Sequence, residues 1–124
     1  MSDKKKILVV DDSKTIRQQV GFTLTNAGFE VVEAEDGKDG ILKLEANSNI
    51  SMIISDVNMP NMGGLEMVES IRAKDSFKLV PIIMLTTESS GDKVERAKKA
   101  GASGWLVKPF NPEQLVGAVK KLAK

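Results

Sequence analysis

The sequence predicts an α/β fold, a doubly wound (βα)5 parallel sheet of five strands in the flavodoxin-like order 2-1-3-4-5. Three observations predict it. Five short apolar runs, rich in β-branched residues, are each bounded by turn chemistry. Segments of helical spacing alternate with them, at the cadence of roughly 20 to 25 residues that βαβ units need. The best of these runs are apolar throughout, as in strands buried on both faces. The chain has 124 residues, the size of one ordinary domain, so a single domain over residues 1–124 is expected.

The first strand is Lys6-Ile7-Leu8-Val9-Val10, and it stops abruptly at Asp11-Asp12. Ser13 is placed to cap the helix that follows, with Ile16, Val20, Phe22 and Leu24 as its buried face. Gly28 supplies a left-handed stop. Phe29 to Ala34 is a weaker strand, and its glutamates suit a sheet edge. Asp36-Gly37 reads as a turn, and Ile41, Leu42 and Leu44 mark a short amphipathic helix ended by Asn47-Ser48-Asn49.

Ile50 to Ser55 is the third strand, and Asp56 sits at its carboxyl end. Pro60, which lacks an N–H, takes the chain out of the sheet. Asn61 to Gly64 reads as a flexible loop. Leu65, Val68 and Ile71 are then spaced as on a helix. Val80 to Leu85 is the fourth strand, with Pro81 near its start and Thr86-Thr87 at its end. Ser89-Ser90-Gly91-Asp92 opens a helix with few large apolar residues, expected to be the least anchored. Gly104 to Val107 is the fifth strand, followed by Lys108 and Pro109. Asn111 caps the last helix, Pro112 takes its first position, and Leu115, Val116, Val119 and Leu122 form its stripe. The units share no sequence, so the cadence is not that of a solenoid.

Composition narrows the chemistry. There is no cysteine and no histidine, which removes thiolate nucleophiles, the commonest general base and the commonest zinc ligands. A metal held here must sit among oxygens, which favours Mg²⁺, Ca²⁺ or Mn²⁺. The net charge of +1 gives no pull toward nucleic acid. No stretch approaches a membrane span, and a cytoplasmic protein is expected.

In a sheet of this kind ligands bind outside the carboxyl ends of the strands. Those ends offer Asp11, Asp12, Asp56, Thr86 and Lys108. Taken singly, each has a plain reading as a cap, a turn residue or a surface charge. It is their joint placement at four strand ends that points to a site. Crowded carboxylates repel, and Mg²⁺ relieves that repulsion. Lys108 and Thr86 suit phosphoryl oxygens, which leaves Asp56 as a nucleophile toward phosphorus.

Val9-Val10-Asp11-Asp12-Ser13, Ile54 to Pro60, Leu85-Thr86-Thr87 and Leu106-Val107-Lys108-Pro109-Phe110 together resemble the receiver domain of two-component response regulators. Ala34 to Gly37, Asn58 to Met62 and Ala100 to Gly104 look like the CheY-type chemotaxis members. The resemblance implies that Asp56 accepts a phosphoryl group from the phosphohistidine of a CheA-like sensor histidine kinase. It further implies Mg²⁺, with Mn²⁺ as a substitute, on Asp12, Asp56 and the Asn58 backbone carbonyl, with Asp11 acting through a water. Lys108 and Thr86 would contact the phosphoryl oxygens, and Thr86 and Trp105 would form the switch. Asn58 and Glu88 would tune phosphoryl lifetime, and the Lys108–Pro109 bond would be cis. Trp105 stands where the family usually has Tyr or Phe. Gly63 stands where Asp is common, which would loosen its loop. The implied protein is a monomeric, stand-alone phosphoacceptor acting on the flagellar motor switch, open to a phosphatase and without DNA binding of its own. It would be a signalling protein rather than an enzyme in the ordinary sense. The rivals are a phosphorelay carrier feeding a histidine phosphotransfer protein, a binding module that never carries phosphate, a flavin carrier and an aspartate-based hydrolase. The acidic first loop argues against flavin.

Overall fold

The computed structural model describes residues 4–47, 49–87 and 91–123. Five strands, β1 (Lys6–Val10), β2 (Glu30–Ala34), β3 (Ile50–Ser55), β4 (Ile82–Thr86) and β5 (Gly104–Val107), alternate with five helices. The helices are α1 (Lys14–Asn26), α2 (Gly37–Ala46), α3 (Gly64–Arg72), α4 (Gly91–Ala100) and α5 (Pro112–Leu122). A single 3-10 turn at Asp75–Phe77, absent from the sequence reading, precedes β4. The strands are parallel and lie in the order β2-β1-β3-β4-β5, as predicted.

Two cores flank the sheet because successive strand residues face opposite ways. Leu8, Val10, Ile53, Ile82 and Met84 pack with Leu44 of α2, with Leu65, Met67, Val68 and Ile71 of α3, and with Ala97 of α4. Ile7, Val9, Met52, Ile54, Ile83 and Leu85 pack with Val20 and Leu24 of α1 and with Leu115 and Val119 of α5. Each fully buried Leu, Ile or Val contributes about 1.5–3 kcal/mol. β2 is an edge strand, as its glutamates suggested.

Local chemistry sets most boundaries. The Ser13 and Asn111 side chains cap α1 and α5, accepting from the N–H groups of Ile16 and Gln114. Pro112 is at the first position of α5. Gly28 has φ 97° and closes α1, and the Phe29 N–H returns to the Leu24 carbonyl at 3.0 Å. The Lys108–Pro109 bond is cis.

Four readings need correction. Phe22 is 71% exposed and Leu42 64% exposed. On α1 the inward positions are Ile16, Val20 and Leu24, one turn apart, and Phe22 lies nearly opposite them. Leu42 is likewise displaced from the Ile41 and Leu44 face. Asp36-Gly37 is not a free turn but the start of α2, where the Asp36 carboxylate accepts from the Asp39 N–H at 2.8 Å. Residues 61–64 are not loose. The Gly37 N–H bonds the Met62 carbonyl and the Gly64 N–H bonds the Val57 carbonyl, both at 2.9 Å. The Asn61 amide donates to Asp36 Oδ2 at 2.8 Å. Gly63 takes the N-cap position of α3, and with no side chain to offer it is served only by Glu66, which reaches back to its N–H.

Asp36 is buried, and the N–H of Asp39 and the amide of Asn61 hold its carboxyl below the ordinary 3.8. A depressed folded value means that its stabilisation is present above the unfolded value and is lost as pH falls through the folded one. Asp36→Ala is expected to cost about 1 kcal/mol at neutral pH, as loss of a helix cap does. Urea unfolding at neutral pH and again below pH 3.8 checks this, and the gap between wild type and variant should narrow in acid.

α4 is the thinly anchored helix the sequence suggested, with Ala97 its one buried residue. Its carboxyl end is nevertheless riveted. Gly101, at φ 110°, closes it, and the Arg72 guanidinium donates to the Gly101 carbonyl at 3.0 and 2.8 Å and to the Phe77 and Lys78 carbonyls. A cation at a helix carboxyl terminus complements its dipole.

Candidate functional site

The strand order reverses between β1 and β3, since β1 carries β2 on one side and β3 on the other. A crevice opens at such a switch point. Asp11 and Asp12 leave β1 there and Asp56 leaves β3. The Asp56 N–H donates to the Val10 carbonyl at 3.0 Å, so the two strand ends are level. Asp11, Asp12 and Asp56 each offer a carboxylate oxygen, and these atoms lie within 4.8 Å of one another.

Lys108 extends from the end of β5 across the ends of β4 and β3. Its Nζ lies 2.7 Å from Asp11 Oδ2 and 3.3 Å from Asp56 Oδ2. The remaining oxygens are fixed by backbone. The Ser13 N–H donates to Asp11 Oδ1 at 2.9 Å, and the Val57 N–H donates to Asp56 Oδ1 at 2.7 Å. Burial opposes the Lys108 charge, but the hydrogen bond and charge of Asp11, joined by Asp56, outweigh it and hold the ammonium above its usual range. For Asp11 burial prevails over Lys108 and the Ser13 N–H, and its carboxyl is raised.

Among the described residues Lys108 pairs with two of the three clustered carboxylates, Asp11 and Asp56, so negative charge exceeds positive in the cluster. The donors are all oxygen, and Asp12 is exposed enough to keep solvent at the site. That donor set fits Mg²⁺, which prefers carboxylates and retains several waters.

Thr86 is fully buried at the end of β4, and its carbonyl accepts from the Lys108 N–H at 2.8 Å. Trp105 pairs in register with Met84, two residues before Thr86, and packs on the core shared with α3 and α4. Residues two apart on a strand share a face, so Thr86 points to the face that Trp105 packs on. A cavity of about 70 Å³ lies beside the indole, lined by Val94, Ala97 and Gly104 among others. Asn58 is exposed on the loop after Asp56. Glu88 lies outside the described residues.

The sequence reading passed over Arg17. Its Nη1 donates to the Asp11 carbonyl at 2.6 Å while its Nε pairs with Glu33 at 3.0 Å, which braces the acidic loop against β2. No local pattern announces such a bond. The Asp36 cap could have been found, because an acid three residues before Asp39 at the start of a helix is a capping signal.

A half-buried lysine bridging acids at a switch point, on a sheet of this order, defines a class. Residues 7–120 match the response regulator receiver domain, and the chain belongs to that family. Within it the chain is similar to chemotaxis regulators of the CheY type. It is 48% identical to chemotaxis protein CheY1 of Helicobacter pylori over 111 residues, covering 89% of this chain and 90% of that one. It is 45% identical to the CheY homolog of Campylobacter jejuni, covering 89% and 85%. Chemotaxis protein CheY4 of Vibrio cholerae superposes with a TM-score of 0.90 at 48% identity, covering 96% and 98%. Among the described residues, no helix is long and apolar enough to cross a membrane.

Proposed function

We propose that this chain is a single receiver domain over residues 1–124, and that Asp56 is its phosphoacceptor. A carboxylate oxygen of Asp56 attacks the donor phosphorus. The bond from phosphorus to the phosphohistidine nitrogen breaks, and that nitrogen leaves with the electron pair. The product is an acyl phosphate on Asp56. The observation that supports this most is the convergence of three carboxylates with Lys108 at 2.7 and 3.3 Å. Asp12, Asp56 and the Asn58 carbonyl would hold Mg²⁺ or Mn²⁺, with Asp11 acting through a water, and the ion would neutralise charge on the transferring group. Lys108 gives up a carboxylate for a phosphoryl oxygen, and Thr86 donates to another. Asn58 and Glu88 tune hydrolysis of the product.

The readout is a shift of a pre-existing equilibrium at Thr86, Trp105 and α4. The partners are a CheA-like histidine kinase and the flagellar motor switch, and a phosphatase can end the signal. The names of the Helicobacter and Campylobacter relatives support the chemotaxis assignment. The protein acts as a cytoplasmic monomer. Incubation with acetyl phosphate and Mg²⁺ followed by intact mass tests the reading. One acid-stable, base-labile phosphoryl adduct is expected, and none in EDTA.

Lys108→Ala removes the cation that both phosphoryl transfer and its readout use. Labelling should slow by at least about tenfold, in line with loss of one electrostatic contact. The variant, once labelled, should leave Trp105 emission unchanged, whereas the wild-type emission shifts. Steady-state fluorescence on both labelled proteins reads this directly, because Trp105 is the only tryptophan.

A further inference from the structure

We propose that Asp36 and Asn61 are positioning residues for the cation site, a latch that fixes the 58–63 turn and so sets the divalent-ion affinity of the acidic cluster. The inference rests on the reading of that cluster as a Mg²⁺ site that includes the Asn58 carbonyl.

The chain leaves β3 at Asp56 and must re-enter a helix at Gly64. Two ties lie within that turn, the Gly64 N–H to the Val57 carbonyl at 2.9 Å and the Met62 N–H to the Pro60 carbonyl at 2.6 Å. Two more cross to α2. Asn61 donates to Asp36 Oδ2 at 2.8 Å, and the Gly37 N–H donates to the Met62 carbonyl at 2.9 Å. The acceptor is itself immobilised, since Asp36 is 5% exposed and its Oδ1 holds the Asp39 N–H. Asn61 has φ 65°, a left-handed conformation that asparagine tolerates better than most residues. A Cβ at Gly37 would lie 2.7 Å from both Cγ and the carbonyl oxygen of Met62, so the two segments meet as closely as glycine permits.

A carboxylate ligand can adjust its rotamer to an ion. A backbone carbonyl cannot, and its place is set wholly by the turn that carries it. Mg²⁺ demands near-octahedral geometry, so ordering a loosened turn is charged against binding. The latch removes that cost beforehand.

Asn61→Gly and Asp36→Ala together isolate the effect. The first deletes the side-chain bond and keeps the α2 cap but frees the backbone of the turn, and the second deletes the same bond with the Asn61 backbone unchanged. Mg²⁺ alone is titrated calorimetrically into wild type, Asn61→Gly, Asp36→Ala, the double variant and Val119→Ala, well below the unfolding temperature. Val119 is buried on the opposite face of the sheet and reports generic destabilisation. Affinity should fall about tenfold in Asn61→Gly, the lower range for losing a partner outside the ligand shell. The double variant should be little weaker than the weaker single, because the two residues act as one unit. Val119→Ala should bind as wild type. Wild-type affinity in Asn61→Gly, or an equal loss in Val119→Ala, overturns the latch. Failure of the wild type itself to bind Mg²⁺ overturns the underlying site and the latch with it.

Discussion

Asp56→Asn should take up no phosphoryl group from acetyl phosphate and Mg²⁺, while unfolding in urea much as the wild type does. An amide is no nucleophile toward phosphorus, so the labelling rate should drop at least about 100-fold, roughly 2.7 kcal/mol of activation free energy. The fold has no reason to suffer. Lys108 keeps Asp11 at 2.7 Å, and the crowded cluster loses one of three like charges. Stability should therefore stay within about 1 kcal/mol of wild type or rise slightly. Intact mass and a urea curve on the same preparation give both numbers. Undiminished labelling of the variant would transfer the nucleophile's role to another carboxylate, with Asp12 first in line.

Gly64→Ala should be the most damaging single methyl in the described chain. Its Cβ would land on the carbonyl oxygen of Asp56, and would also approach Met84 Cε at 2.9 Å. The first obstacle is backbone, so no rotamer change relieves it. Overpacking of this kind costs about 3 kcal/mol or more, against a total stability of about 5–15 kcal/mol for a domain. Function should fail as well, because the carbonyl pushed aside belongs to the proposed phosphoacceptor. Gly117→Ala on α5 is the matched comparison. A Cβ there meets nothing within 4 Å, and the change should stabilise by about 0.5–1 kcal/mol. Urea midpoints of the two variants should move in opposite directions; movement of Gly64→Ala by less than about 0.5 kcal/mol would mean that α3 shifts away without penalty.

What could be read in advance was local. An apolar run ending on an acid announces a central strand and its functional end, which is why Asp11, Asp12 and Asp56 were found together. Ser13 and Asn111 are caps within three residues of the groups they bind. What could not be read spans the chain. Asn61 meets Asp36 across 25 positions, Arg72 meets Gly101 across 29, and Arg17 meets Glu33 across 16. Periodicity carries no trace of such pairs. Gly63-Gly64 misled for a related reason. Glycine was taken as slack, whereas at Gly64 it permits α3 to approach the Asp56 carbonyl. Phe22 and Leu42 show the limit of counting apolar residues without tracking their angle around the helix.

The Arg72 rivet gives α4 the mechanics of a pointer on a pivot. One end is clamped by two Arg72 bonds to the Gly101 carbonyl, with the same guanidinium anchored on the Phe77 and Lys78 carbonyls, while along the ten-residue shaft only Ala97 is buried. Ten residues make a rod of roughly 15 Å, so a swing of about 10° at the clamp carries the Gly91 tip about 2.5 Å. The Gly91 tip is the end farthest from that clamp, so a displacement applied there has the longest lever arm.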